Sequence, residues 1–140
     1  MKTIRVIGHP FLLLASFLFI LISGKSWGGF YLLYLLLALP AGGIHALTGF
    51  AGVILLLYAN WKFKYRSLLS ASLNLVSVLL LSSSLLLFFY NDKQGYNDNT
   101  FYQWAPQISL VIYTLFALAF IVKNSTPFFR KRAKPNTSIS

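Results

Sequence analysis

The sequence predicts an all-α fold: a small polytopic membrane protein with four transmembrane helices in a bundle, the second broken at Pro40-Ala41-Gly42-Gly43. Three observations carry that expectation. Four apolar runs, residues 4–23, 29–59, 67–90 and 105–122, contain no acidic residue, and Arg5 is the one basic residue within them. Charged residues make up 10% of the 140-residue chain, against about 25% in soluble domains. At 57% hydrophobic, a soluble fold of this length would lack polar residues to cover its exterior. The natural division is a transmembrane domain over residues 1–125 and a basic tail over residues 126–140.

A helical span needs about 20 apolar residues. The run 4–23 reaches that length if Arg5 snorkels to the interface, and Pro10 falls in its first turns, where proline does least harm. A basic start followed by an apolar core also resembles a signal peptide, but Leu21 and Ile22 occupy the place of the small residue that cleavage wants; an uncleaved first span is the expectation. The run 29–59 is too long for one straight span and too short for two. It reads either as a kinked crossing or as a short re-entrant helix over 30–39 followed by a full span over 43–59. The runs 67–90 and 105–122 each suffice for one crossing.

Charge sets the expected orientation. Lys2 and Arg5 mark the N-terminus, Lys62, Lys64 and Arg66 the middle linker, and Lys123, Arg130, Lys131, Arg132 and Lys134 the tail. The linker 91–104 has Lys93 against Asp92 and Asp98, and 24–28 has Lys25 alone. Basic segments stay cytoplasmic, so both termini and the middle linker are expected inside, with 29–59 crossing once. The membrane is by default an inner or plasma membrane. Trp27, Tyr31 and Tyr34, then Tyr58, Trp61 and Tyr65, then Tyr90, Tyr102 and Trp104 fall where interfacial aromatic belts belong.

Ala38, Gly42, Ala46, Gly49 and Gly52 recur at helical spacing in the second run, and Ser70, Asn74, Ser77 and Ser84 in the third. Small residues let membrane helices approach closely, and Ser or Asn can bond across the contact. Folding the two runs about the short middle linker puts Gly52 level with Asn74, Gly49 with Ser77 and Gly42 with Ser84. His45 is the ionisable side chain inside the second run, hence a candidate functional group; its bland role is a neutral ring bonded to Ser84 or to a carbonyl freed by the break. His9, before Pro10, is expected to be a local cap or an interface residue.

These residues favour contact over chemistry. The expected function is that of a non-catalytic accessory or assembly subunit acting through helix packing, with a membrane-protein partner or further copies of itself. The rival is a small oligomeric channel or transporter lined by His45, Asn74, Ser77 and Ser84. No cofactor and no metal site is expected: there is no cysteine, and two histidines without a membrane carboxylate make no three- or four-ligand set. No catalytic motif is present, so the chain is not expected to be an enzyme, and no soluble basic domain remains for nucleic acid. The tail residues Arg130, Lys131, Arg132 and Lys134 are placed to attract anionic lipid headgroups of the bilayer.

Overall fold

The computed structural model describes residues 6–25, 28–62, 67–92 and 96–132, with side chains followed as far as residue 125. Among these residues the order is α1 (Pro10–Leu18), β1 (Leu21–Ser23), β2 (Gly28–Phe30), α2 (Tyr31–Ala38), α3 (Ile44–Lys62), α4 (Leu68–Tyr90), a 3-10 turn (Asp98–Phe101) and α5 (Trp104–Arg132). Three helical stretches are long and apolar enough to cross a membrane: Ile44–Lys62, Leu68–Tyr90 and Trp104–Ser125. Their outward faces carry Ile54, Leu79, Leu86 and Leu115, each more than half exposed, as suits a chain solvated by lipid.

The first apolar run departs from the expected single helix. Pro10 at the first turn and His9 Nδ1, which accepts from Phe11 N at 3.4 Å, start α1. It ends after nine residues at Leu18, and the chain continues as β1, paired antiparallel to β2 with Leu21 opposite Phe30 and Ser23 opposite Gly28. No helix breaker stands between Leu18 and Leu21. The strand instead forms because partners await its backbone: Leu21 N donates to Ser109 Oγ at 3.0 Å, and Ser23 N to Thr100 Oγ1 at 2.9 Å. Tyr31 N donates to Ile20 O at 2.7 Å. Extended backbone in apolar surroundings is tolerated where protein satisfies its polar groups in this way.

At the other end of the same segment Lys123 Nζ donates to Gly8 O at 2.9 Å, while Ser23 Oγ donates to Gln103 Oε1 at 2.8 Å. Residues 8–23 therefore run antiparallel along α5, from Lys123 to Gln103 just ahead of its first turn, roughly 30 Å at 1.5 Å per helical residue. A short helix and an extended strand in series cover the length that a straight helix was expected to cover.

The second run breaks where its glycines are. Gly42 has φ of 69°, a conformation that glycine adopts without penalty. Gly43 N donates to Ala38 O and Gly42 N to Leu39 O, both at 3.0 Å. These are the paired bonds of a Schellman terminus, and Pro40 within the turn cannot continue a helical ladder. Ser67 caps α4 by accepting from Ser70 N at 3.0 Å.

The core is a cluster drawn from every helix: Leu13 and Phe17 of α1, Tyr31 and Leu35 of α2, Ala46 and Leu56 of α3, Leu81 and Phe88 of α4, Tyr113 and Phe120 of α5. Tyr31, expected at an interface, is instead fully buried, its ring 5.3 Å from those of both Phe17 and Phe88. Tyr58, Trp61, Tyr90, Tyr102 and Trp104 are exposed. Trp27, Tyr65 and the basic residues Lys2, Arg5, Lys64 and Arg66 lie outside the described residues.

Candidate functional site: two buried polar clusters

α3 and α4 pack along the small-residue faces that the sequence marks, in a different register. Ala46, Gly49, Gly52, Leu56 and Ala59 are the buried positions of α3, and Ser70, Asn74, Ser77, Leu81 and Ser84 are among those of α4. A Cβ built on Gly49 would lie 2.7 Å from Ser84 Oγ, and one on Gly52 would lie 3.0 Å from Leu81 Cδ2. The expected partners were Ser77 and Asn74, so the helices are slipped by seven residues. Seven residues are almost two helical turns; such a slip returns each helix to the same face. The face is written in the periodicity, whereas the level depends on how the linker and core seat the pair.

The first polar cluster sits beside the break. Ser84 Oγ donates to the backbone carbonyl of His45 at 2.7 Å, and Tyr31 OH lies 2.8 Å from Ser84 Oγ. A serine hydroxyl has one proton. With that proton directed to His45 O, Tyr31 is the donor in the second bond, and the order is Tyr31 to Ser84 to His45 O. Thus Ser84 meets the histidine's backbone and not its ring. The imidazole lies edge-on to Phe88 at 5.3 Å, with Nε2 buried and without a hydrogen-bond partner.

The second cluster joins three helices. Asn60 Nδ2 of α3 donates to Asn74 Oδ1 of α4 at 2.9 Å and to Leu56 O at 2.7 Å. Asn74 Nδ2 donates to Asn124 Oδ1 of α5 at 3.0 Å, and Asn124 Nδ2 donates to Phe120 O at 2.9 Å. Ser77 Oγ is turned back to its own helix, bonding Asn74 O at 2.8 Å. Between the clusters, Ser82 Oγ and Tyr113 OH are 3.0 Å apart.

The structure distributes the candidate residues accordingly. Asn74, Ser77 and Ser84 are buried, but Asn74 and Ser84 belong to separate clusters. Ala46, Gly49, Gly52 and Ser70 pack between helices. Ala38 is half-buried and faces Gly43, where an added Cβ would sit 3.0 Å from Ala38 Cβ. Gly42 departs from the expected packing role: it is exposed, with nothing within 4 Å of a Cβ built there, and it serves the turn. The backbone of α5 reaches Arg132, but the side chains of Arg130, Lys131 and Arg132, and all of Lys134, lie outside the described residues.

Three participants escaped the sequence reading. Asn60 stands near the end of α3 and Asn124 just beyond the last apolar run, where a polar residue ordinarily meets headgroups, and Tyr31 stands where an aromatic belt was expected. The available signal was that Asn60 and Asn124 directly flank the ends of apolar runs that meet, in the expected topology, on the side where α4 begins. No family model, curated protein or solved structure matches the chain.

Proposed function

We propose that this protein is a four-crossing integral membrane protein that works through helix packing, as a non-catalytic accessory or assembly subunit. The observation that carries the reading is the consumption of its polar side chains by one another: Asn60, Asn74 and Asn124 satisfy each other and two carbonyls, and Tyr31, Ser84 and His45 O do the same. A solute path needs such groups turned toward water. The fourth crossing is assigned to residues 8–23, whose ends meet α5 at Lys123 and Gln103. Positive charge favours both termini on the cytoplasmic side. In this scheme β2 enters from the outer side and α2 folds back toward Gly43, so 29–59 crosses once.

The channel or transporter reading keeps one specific support: the unpartnered His45 Nε2 beside a folded-back segment, a type of break that builds substrate sites in transporters. Reconstitution into vesicles separates the two. Packing alone predicts proton, alkali-cation and small-solute fluxes equal to those of protein-free vesicles, with Ser84→Ala and Asn74→Val lowering thermal stability in detergent. A flux that Ser84→Ala abolishes in a folded protein would establish transport. Purification from the native membrane in mild detergent should yield a stoichiometric membrane-protein partner or a homo-oligomer.

A further inference from the structure

At the C-terminal end of α3 lies a shallow cavity of about 300 Å³, lined among the described residues by Tyr58, Trp61 and Lys62. Lys62 Nζ stands 5.5 Å above the centroid of the Tyr58 ring, which holds the cation over the cavity wall. Trp61 is 92% exposed, too much for a residue with a packing role inside this chain. Ile54, Leu57, Tyr58 and Trp61 are all exposed, and their spacing of three, four and seven residues puts them on one helical face. That face is an apolar strip leading to an aromatic and cationic head. Its 19 residues give α3 a length of about 28 Å, close to the ~30 Å hydrocarbon core of a bilayer, so the head falls at headgroup level.

The charge at this head has no counterpart among the side chains of the chain itself. The two acidic residues, Asp92 and Asp98, follow α4, at the opposite end of the α3–α4 hairpin. We infer that the strip and cavity bind one anionic phospholipid. Lys62 Nζ and the Trp61 indole N–H take phosphate oxygens, and the acyl chains lie along Leu57 and Ile54. This rests on the membrane reading above and adds a lipid class and a site to it.

The test uses full-length protein with Trp27→Phe and Trp104→Phe, leaving Trp61 as the sole indole, in nanodiscs of zwitterionic lipid doped with brominated phosphatidylglycerol or brominated phosphatidylcholine. Brominated chains quench indole fluorescence on contact. Quenching is expected at about five-fold lower mole fraction of the anionic lipid, the equivalent of about 1 kcal/mol for one basic residue at a membrane surface. Lys62→Gln should remove that preference, Lys62→Arg should keep it, and Lys25→Gln should leave it unchanged. Excess inorganic phosphate at matched ionic strength should not displace the lipid. Equal quenching by both lipids, or an unaltered preference in Lys62→Gln, overturns the site. Displacement by phosphate reassigns it to a free anion and overturns the lipid. Absence of quenching by either lipid removes α3 from the bilayer and overturns the membrane reading with it.

Discussion

A methyl group added at Gly49 would lie 2.7 Å from Ser84 Oγ, nearer than real side chains approach, and 3.0 Å from Leu35 Cδ2, a tight contact. Gly49→Ala is therefore expected to destabilise the protein by about 1–3 kcal/mol through overpacking, measured as thermal unfolding in detergent. Because the two residues touch, Gly49→Ala combined with Ser84→Ala should lose less than the sum of the single changes; strict additivity would contradict the contact. Gly42 tests a different force. Its surroundings are open, so Gly42→Ala meets only the left-handed backbone and should cost about 1 kcal/mol, with Gly42→Asn milder. The asparagines can be ranked in the same assay. Asn74 joins two neighbours and Asn60 one, and interhelical bonds in membranes average about 0.6 kcal/mol each, so Asn74→Leu should be the more damaging by roughly that amount. Equal losses would mean that the Asn74–Asn124 bond contributes nothing. These partnerships were hidden in the sequence because an asparagine flanking an apolar run ordinarily serves the interface, and only the tertiary packing of the three helices brings Asn60, Asn74 and Asn124 together.

Among elements, the long helices and the break were legible for opposite reasons. α3, α4 and α5 follow from uninterrupted apolar length, and the break follows from Pro40, Gly42 and Gly43, whose backbone limits act wherever the chain goes. β1 was not legible: Phe19, Ile20, Leu21 and Ile22 suit a membrane helix equally well, and the strand depends on hydroxyls from Thr100 and Ser109, far along the chain. The α3–α4 register was half legible, since a seven-residue slip preserves the faces. The chain contains no cysteine, which makes the register directly measurable. A cysteine pair at Asn60 and Asn74 should react with a short bifunctional thiol reagent, and a pair at Val53 and Asn74 should not. The reverse result would restore the register expected from the linker alone.

Over the whole molecule, the proposed crossing by residues 8–23 decides the topology. If residues 8–23 traverse the bilayer beside α5, an N-terminal tag belongs on the same side as a reporter at Lys64, and a reporter at Gly95 on the other. An N-terminal tag found on the side of Gly95 would leave three crossings and make the bond of Lys123 to Gly8 O unattainable in the membrane.

The asparagine ladder also bears on how the protein is made. Synthesis delivers Asn60 and Asn74 early, as a hairpin whose mutual bond can form at once. The Asn74 amide that serves Asn124 must wait for almost the last span to emerge from the ribosome. A nascent chain that stops short of Asn124 carries an unsatisfied amide in an apolar medium, a mark that membrane proteases and chaperones can read. A product truncated after Val122 is expected to be degraded faster than the same truncation carrying Asn74→Leu, the reverse of the order of stability expected for the full-length proteins. Pulse-chase labelling compares the half-lives, and identical decay of the two truncated chains would show that the late bond plays no part in surveillance.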